Sequence, residues 1–397
     1  MRAGPSQEEV RRQNLGALLR FVHRHGAMSR AELTAKLGLN RSTIGALTAE
    51  LAAAGLVAEA APREAGRAGR AGRPSLVVSP RSDAVCAYAL AIEVDRIRAA
   101  RVGLGGVVAD RREAAREPGL PAEEAVKQVS SFVAEMHAAA PAKVRYIGSG
   151  GAVGGRVRAA DGTVGLGPPA GWADEPLRAA LLAAGLPGDR PVTTGAAADL
   201  AALAEHTRGA ATGYDTIIYL YGDAGISAGI IAGGRRVPGY RGTPGEVGHM
   251  VVHPGGRPCG CGSQGCWETE VGEQALLRDA GPAGLTGQAA VRAVVDAAAR
   301  GDTSARTALR RVADWLGFGV GNLVNVFNPE MVIFGETLRD IYLAAAAPVR
   351  SRLNSIGLAA SLGHVRLRTP ALGDDAVLIG AAELAFEELL ADPLDQR

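Results

Sequence analysis

Aromatic residues make up only 4% of this 397-residue chain while glycine supplies 54 positions, a balance that points to a loop-rich protein. Long apolar runs are missing: no uninterrupted stretch reaches the length needed to span a bilayer. The opening segment MRAGPSQEEVRRQ has no apolar core of signal-peptide length, so a cytoplasmic location is expected. Cysteine is scarce, with four in all, and three of them fall within eight residues at Cys259, Cys261 and Cys266. In a reducing compartment that spacing points to a metal and away from disulfides, and the isolated Cys86 reads as a small buried hydrophobe. Strong net charge is lacking too, at +2 overall. With 47% hydrophobic and 21% charged residues, general disorder is excluded, and the length accommodates two or three domains.

The charge is unevenly spread. Residues 1–75 carry twelve Lys or Arg against six Asp or Glu, a net +6, and the remainder carries 31 against 35, a net −4. A basic segment on an otherwise acidic chain is what contact with a polyanion requires. The same segment has helical punctuation. Leu15, Leu18, Leu19 and Val22 recur at helical spacing from Gln13 and stop at His25-Gly26. Ser29 with Glu32 forms a capping box for a short helix carrying Leu33 and Leu37, which Gly38 ends. After the cap Asn40, Arg41-Ser42-Thr43 opens a third helix with Ile44, Leu47 and Leu51 on one face and Gly55 past its end.

Two short helices about a glycine turn, the second beginning with Arg, Ser and Thr, fit a helix-turn-helix. Leu56-Val57 and Leu76-Val77-Val78 add two strands of a wing whose tip carries Arg67, Arg70 and Arg73 among glycines. Residues 1–80 are therefore expected to form a winged helix-turn-helix binding double-stranded DNA through Ser29, Arg30, Arg41, Ser42, Thr43 and the three wing arginines.

Further along, Gly245-Glu246-Val247-Gly248-His249 precedes Cys259-Gly260-Cys261 and Gly265-Cys266-Trp267-Glu268. One imidazole and three thiolates, His249, Cys259, Cys261 and Cys266, fill a tetrahedral Zn²⁺ site and leave no position for water, so the expected metal is structural. The glycines between them let the backbone fold tightly around an ion. Apolar runs at Ala87–Val94, Thr216–Tyr221, Ile226–Ile231 and Met331–Phe334 read as buried strands among Ala- and Leu-rich helices, an α/β pattern.

GEVGHM at 245–250 combined with CGCGSQGCWE at 259–268 resembles the ROK family (repressor, open reading frame, kinase). NVFNPEMVIFG at 325–335 and LIGAAELA at 378–385 support the resemblance, which extends over nearly the whole chain. It implies a two-lobed, actin-like ATPase (sugar-kinase-like) fold for residues 81–397, with a sugar-like effector between the lobes and assembly as a homodimer or homotetramer. It also implies that Glu246, His249 and Glu268 meet sugar hydroxyls.

The kinase pattern is interrupted at three places. Ala91-Ile92-Glu93-Val94-Asp95 stands where the family has its first phosphate loop, and Asp223 to Gly229 replaces a second glycine turn. Gly195-Ala196-Ala197-Ala198 occupies the segment that holds the catalytic aspartate, with Ala197 at the aspartate's place. Asp199, two residues on, is expected to point about 200° away on a helix. Pro168, Ala196 and Ala197 also replace polar contacts to the sugar. The chain thus reads as a transcriptional repressor of sugar-related genes with no catalytic residues of its own, the alternative being an ATP-dependent sugar kinase with residual activity.

Overall fold

Local capping signals set the beginning of the chain. In the computed structural model, which describes residues 6–62, 75–117, 119–165, 171–280 and 287–395, helix α1 (Gln7–His25) starts at a Ser6/Glu9 capping box. That start lies six residues before the apolar periodicity begins, because the first two turns are exposed and only the cap marks them. Strand β1 (Met28–Ser29) leads into α2 (Arg30–Leu37), capped by Ser29 and ended by Gly38 in the left-handed conformation. Helix α3 (Arg41–Ala53) follows the cap Asn40. Strands β2 (Val57–Ala60) and β3 (Val77–Pro80) complete a three-stranded sheet in the order β1-β3-β2. The winged helix-turn-helix is present; Arg67, Arg70, Arg73 and Pro168 lie outside the described residues.

The rest contains two five-stranded sheets built to one plan. In the first lobe, β4 (Val85–Ile92), β5 (Arg96–Gly103) and β6 (Val107–Ala115) form an antiparallel meander. Helix α4 (Ala122–Ala138) then leads to β7 (Arg145–Val153), and α5 (Leu177–Ala183) to β8 (Val192–Ala196), both strands parallel to β4, before α6 (Ala197–Arg208). In the second lobe, β9 (Ile217–Gly222), β10 (Ile226–Ala232) and β11 (Arg235–Arg236) repeat the meander. Helices α7 (Glu273–Ala280), α8 (Gly287–Ala299) and α9 (Thr303–Phe327) precede β12 (Met331–Gly335). After α10 (Glu336–Ala344), α11 (Ala346–Ile356) and α12 (Ala359–Leu362) comes β13 (Arg366–Arg368), and α13 (Ala376–Ala391) closes the chain over the first lobe.

The sheet orders β6-β5-β4-β7-β8 and β11-β10-β9-β12-β13 are the same arrangement used twice, which is the actin-like ATPase architecture of the sugar kinases. The central strands β4, β9 and β12 are buried along their whole length, which is why they stood out as apolar runs. Strand β4 stops at Ile92, two residues short of the apolar run, because Glu93 turns to meet Arg96 and Arg98.

The DNA-binding module shares its core with the first lobe, since Leu15, Leu18, Leu19 and Val22 of α1 belong to the same buried cluster as Leu384, Phe386 and Leu390 of α13. Polar α1 side chains also cross this boundary, Arg12 among them, 3.5 Å from Asp392 just past α13. Arg20 donates to the Leu390 carbonyl at the end of α13 (3.0 Å), and Arg24 donates to the carbonyls of His206 and Thr207 at the end of α6. Cations at helix C-termini satisfy the last free carbonyls and oppose the negative end of the dipole.

His23 lies deeper. The Gly105 N–H donates to its Nδ1 (2.8 Å), so the proton is on Nε2, which faces both Glu383 carboxylate oxygens at 3.2 and 3.0 Å. Arg208 of α6 donates Nε–H to Glu383 (2.6 Å) and Nη1–H to the carbonyls of His23 and Gly105 (both 2.9 Å). Helices from the DNA-binding module and from the first lobe therefore meet on one buried carboxylate.

Candidate functional site

At the start of α3, where DNA contacts are expected, Asn40 Oδ1 accepts from the Thr43 N–H (2.8 Å) and from the Ser42 hydroxyl (2.7 Å), which fixes the first turn. Arg41 and Ser42 are exposed, Thr43 is half-buried, and the exposed face continues through Ala46 and Ala49, small enough for a groove floor to approach closely. Ser29 and Arg30, also expected at this interface, have structural tasks. Ser29 is held in its capping box with Glu32, and Arg30 forms a two-pronged pair with Glu59 of β2 at 2.7 and 2.6 Å, tying α2 to the wing. Sequence periodicity offered no sign of that long-range pair.

In the second lobe, His249, Cys259, Cys261 and Cys266 converge with their ligand atoms all within 4.8 Å of one another. The Cys261 and Cys266 sulfurs are 3.6 Å apart, and Cys259 Sγ is 3.7 Å from His249 Nδ1. A tetrahedral zinc with thiolates at about 2.3 Å sets its sulfurs about 3.8 Å apart, so the donor set and its spacing fit such an ion. The loop is held from below by Trp267, which is fully buried and donates Nε1–H to the Trp315 carbonyl at 2.8 Å. Gly265 has a left-handed φ of 72°, and a Cβ there would be 1.8 Å from the His253 carbonyl oxygen, so only glycine closes this turn.

The expected effector residues divide. Glu246 lines a narrow pocket between the lobes with Arg156, Ala196, Ala198, Asp199, Ser227 and Thr243. Glu268 instead stands against the zinc loop, its carboxylate 3.0 Å from Cys259 Sγ and 3.5 Å from His249 Nδ1, while His249 Nε2 faces Glu246 at 3.7 Å. The pocket has a volume of only about 10 Å³, room for a single water. Gly245, between the lining residues Pro244 and Glu246, lets the loop press against β10, since a Cβ there would fall 1.8 Å from the Ala228 carbonyl oxygen.

Asp199 corrects the expectation of a carboxylate turned away. It lines the pocket, while Ala197, at the aspartate's place, is 1% exposed and packs into the core. The helical offset was sound, but the direction it was measured from was not, because Ala197 opens α6 facing inward. Burial pushes the Asp199 carboxyl up to about 7, with Arg236 opposing and Glu246 adding to the rise. Arg156 was missed altogether; it follows the apolar strand β7 after two glycines, and nothing in that pattern marks it as a pocket residue.

The region corresponding to the phosphate loops is filled with carboxylates. Glu93 is clasped by Arg96 (2.8 Å) and by Arg98 (2.7 and 2.8 Å), and Arg98, 3% exposed, also donates to the Asp374 carbonyl. Burial first, then neighbouring acids led by Glu93, raise Asp223 to about 7 and Glu336 to about 8. Glu336 also has a left-handed φ of 49°, rare for a side-chain-bearing residue. Sequence reading did not single it out.

These raised values give a pH prediction. Between about pH 4.5 and 8 the folded chain holds the Glu336 proton that the unfolded chain has released, so this group's contribution to stability falls as pH rises. Glu336→Gln is therefore expected to raise the melting temperature by about 2–4 °C at pH 8 and to leave it unchanged near pH 5. Differential scanning calorimetry at the two pH values measures this, and an equal shift at both would remove the carboxyl as its cause.

The profile of the ROK family matches residues 87–388, and that of the MarR family matches residues 16–68. A "putative xylose repressor" of Caldicellulosiruptor sp. (strain Rt8B.4) is 27% identical over 97% of this chain and 98% of its own length. The "xylose repressor" of Bacillus subtilis is 26% identical, covering 97% of each chain. A "glucokinase" of Streptomyces coelicolor is 31% identical, over 57% of this chain and 75% of its own. Among solved structures, a ROK family transcriptional regulator described as a homologue of the E. coli MLC protein superposes with a TM-score of 0.77 at 22% identity, over 97% of this chain and 98% of its own. A ROK family glucokinase from Streptomyces griseus, in complex with glucose and AMPPNP, gives 0.63 at 27% identity over 75% of this chain and 98% of its own.

Proposed function

The chain belongs to the ROK family, and from that membership we propose that it is a sequence-specific DNA-binding repressor of genes for sugar or related metabolism. The observation that carries this reading is the exposed polar start of α3 on a winged helix whose first helix is built into the core of the first lobe. Relatives matching over the full length are repressors, whereas the glucokinases match only part of the chain. Arg41, Ser42 and Thr43 would meet base edges and phosphates of double-stranded DNA, with the wing arginines Arg67, Arg70 and Arg73 reaching a neighbouring groove. Two copies, as a homodimer or a higher homotetramer, would bring two recognition helices to a pseudo-palindromic site. Zn²⁺ on His249 and the three cysteines would be structural, since four protein ligands leave no open position.

A sugar-like effector between the lobes would act through α6. This helix starts at the pocket with Ala198 and Asp199 and ends under Arg24 of α1, so its twelve residues form a rod of about 18 Å from pocket to DNA-binding module. No helix among the described residues is long and apolar enough to cross a membrane.

Sequencing of DNA bound in cells, followed by binding to the recovered sites across a salt series, tests the reading; no sequence preference would overturn it. Arg41→Ala is expected to weaken operator binding about tenfold or more and to reduce the salt slope by about one. An unchanged affinity and slope would remove Arg41 from the interface.

Residual sugar kinase activity is the alternative, favoured only by the Asp199 carboxyl in the pocket. Side chains of Glu93, Asp223 and Glu336 crowd the region where backbone amides of bare glycine turns would hold nucleotide phosphates, and sugar-dependent ATP turnover is expected to be undetectable.

A further inference from the structure

A second cavity, about 350 Å³ in volume, adjoins the narrow pocket and shares Arg156 and Thr243 with it. Three guanidinium groups line it, those of Arg156, Arg158 and Arg241, together with Thr163, Thr243 and a single carboxylate, Asp174. Arg158 is already paired, with Asp161 at 2.9 Å and Asp174 at 3.8 Å. Among the described residues, neither Arg156 nor Arg241 has a carboxylate within 4.0 Å, although the Arg156 charge reaches Glu246, and the cavity's described lining carries three guanidiniums against one carboxylate.

Their placement is built in. Arg241 has a left-handed backbone (φ 59°, ψ 16°), and its carbonyl accepts from the Ala159 N–H at 3.2 Å, pinning a second-lobe loop to a first-lobe turn. At Gly242 a Cβ would be 2.6 Å from that of Ala159, so the two loops approach as closely as glycine permits. The neighbouring pocket carries the opposite character: Glu246 and Asp199 present carboxylate oxygens, acceptors suited to hydroxyl groups. Polyol acceptors on one side and paired guanidiniums on the other match a molecule with hydroxyls at one end and an oxyanion at the other. A volume of this size lies within the range of small-molecule sites.

We infer that the arginine-lined cavity is the anion subsite of the effector pocket, and that the effector is an anionic sugar derivative whose phosphate or carboxylate rests on Arg156 and Arg241. This deepens the sensing part of the proposed function and depends on it. Because Arg156 and Arg241 come from opposite lobes, one oxyanion bridging them draws the lobes together, and a neutral sugar has no such purchase.

Calorimetric titration of the full-length, zinc-loaded protein tests this at constant ionic strength. The probes are the 6-phosphates of glucose, mannose and galactose, glucuronate and galacturonate, each parent sugar, and inorganic phosphate. At least one anionic sugar is expected to bind tenfold or more tighter than its parent and than inorganic phosphate, and the phosphate and uronate arms distinguish the two sources of charge. Arg156→Ala and Arg241→Ala are each expected to weaken that binding tenfold or more, and Arg158→Ala less. The exposed Arg241 keeps the test open if Arg156→Ala misfolds, and the unliganded melting temperature is the folding control.

Equal binding of parent and anion, binding of inorganic phosphate alone, no binding by any probe, or unaltered affinity in Arg241→Ala would each overturn the inference. Intact operator binding alongside any of these results would leave the repressor reading standing, whereas loss of sequence-specific DNA binding would strike that reading itself.

Discussion

Glu383→Ala is expected to lower the unfolding free energy by about 3–5 kcal/mol at pH 7, because it strands the Arg208 guanidinium and the His23 Nε2–H in a buried space. The effect reaches beyond the local packing. Glu383 is where α1 of the DNA-binding module, α6 and α13 meet, so the variant should also weaken operator binding more than its residual folded fraction explains. Burial alone would raise the Glu383 carboxyl, but the hydrogen bonds from His23 and Arg208 and the charge of the Arg208 guanidinium outweigh it and hold it below the ordinary 4.5. A depressed carboxyl stabilises the fold above its unfolded value and loses that contribution as pH falls through the folded value. The difference between wild type and Glu383→Gln should therefore be full at pH 7 and shrink below about pH 4.5. Urea unfolding at several pH values measures it, and a constant difference down to pH 3 would show that shape and not charge is at issue.

Cys266→Ser is expected to remove the metal from the second lobe: zinc content falls from one ion per chain towards none. Cys266 is fully buried, and its thiolate would close a zinc tetrahedron with Cys259, Cys261 and His249 Nδ1. In small zinc domains the ion supplies about 10–16 kcal/mol of apparent binding free energy, which is also folding free energy. The loop here is additionally anchored by Trp267 and by the Val251–Cys266 bridge, so local unfolding of residues 250–266 is expected with the rest of the lobe retained. Elemental analysis, melting temperature and limited proteolysis read this together. A fall of more than about 5 °C with new cleavage inside the loop is the expected result. Wild type that keeps its melting temperature after chelation and dialysis would show that no metal supports the loop. Because Glu246 lies between the loop and the pocket, the same variant should also reduce effector binding.

Much of the architecture was legible in local signals. Ser29 with Glu32, Asn40 before α3, and Gly38 are short-range devices whose effect is complete within one turn of helix, and each does what its spacing implies. The central strands β4, β9, β10 and β12 are buried nearly throughout, so their composition alone betrayed them. Strands β5 and β6 were not legible. Arg96, Arg98 and Arg101 break the apolar run in β5, and β6 alternates exposed and half-buried residues at the sheet edge.

The three cysteines and the histidine determined the candidate metal site without any tertiary information, because ligand chemistry and the glycine-rich spacing between them suffice to bring four donors together. The caps and turn of the helix-turn-helix were determined in the same way, by interactions among residues three or four apart. Tertiary structure decided what lies between distant segments. It faced Asp199 into the pocket and Ala197 into the core, and it paired Arg30 with Glu59, residues on separate elements. It also joined His23 to Glu383 across 360 positions and set Arg156 and Arg241 from opposite lobes around one cavity. The physical reason is that a side chain's charge and hydrogen-bonding capacity are fixed by its identity, but whether they are satisfied, buried or left open to a ligand depends on which distant segment folding brings against it.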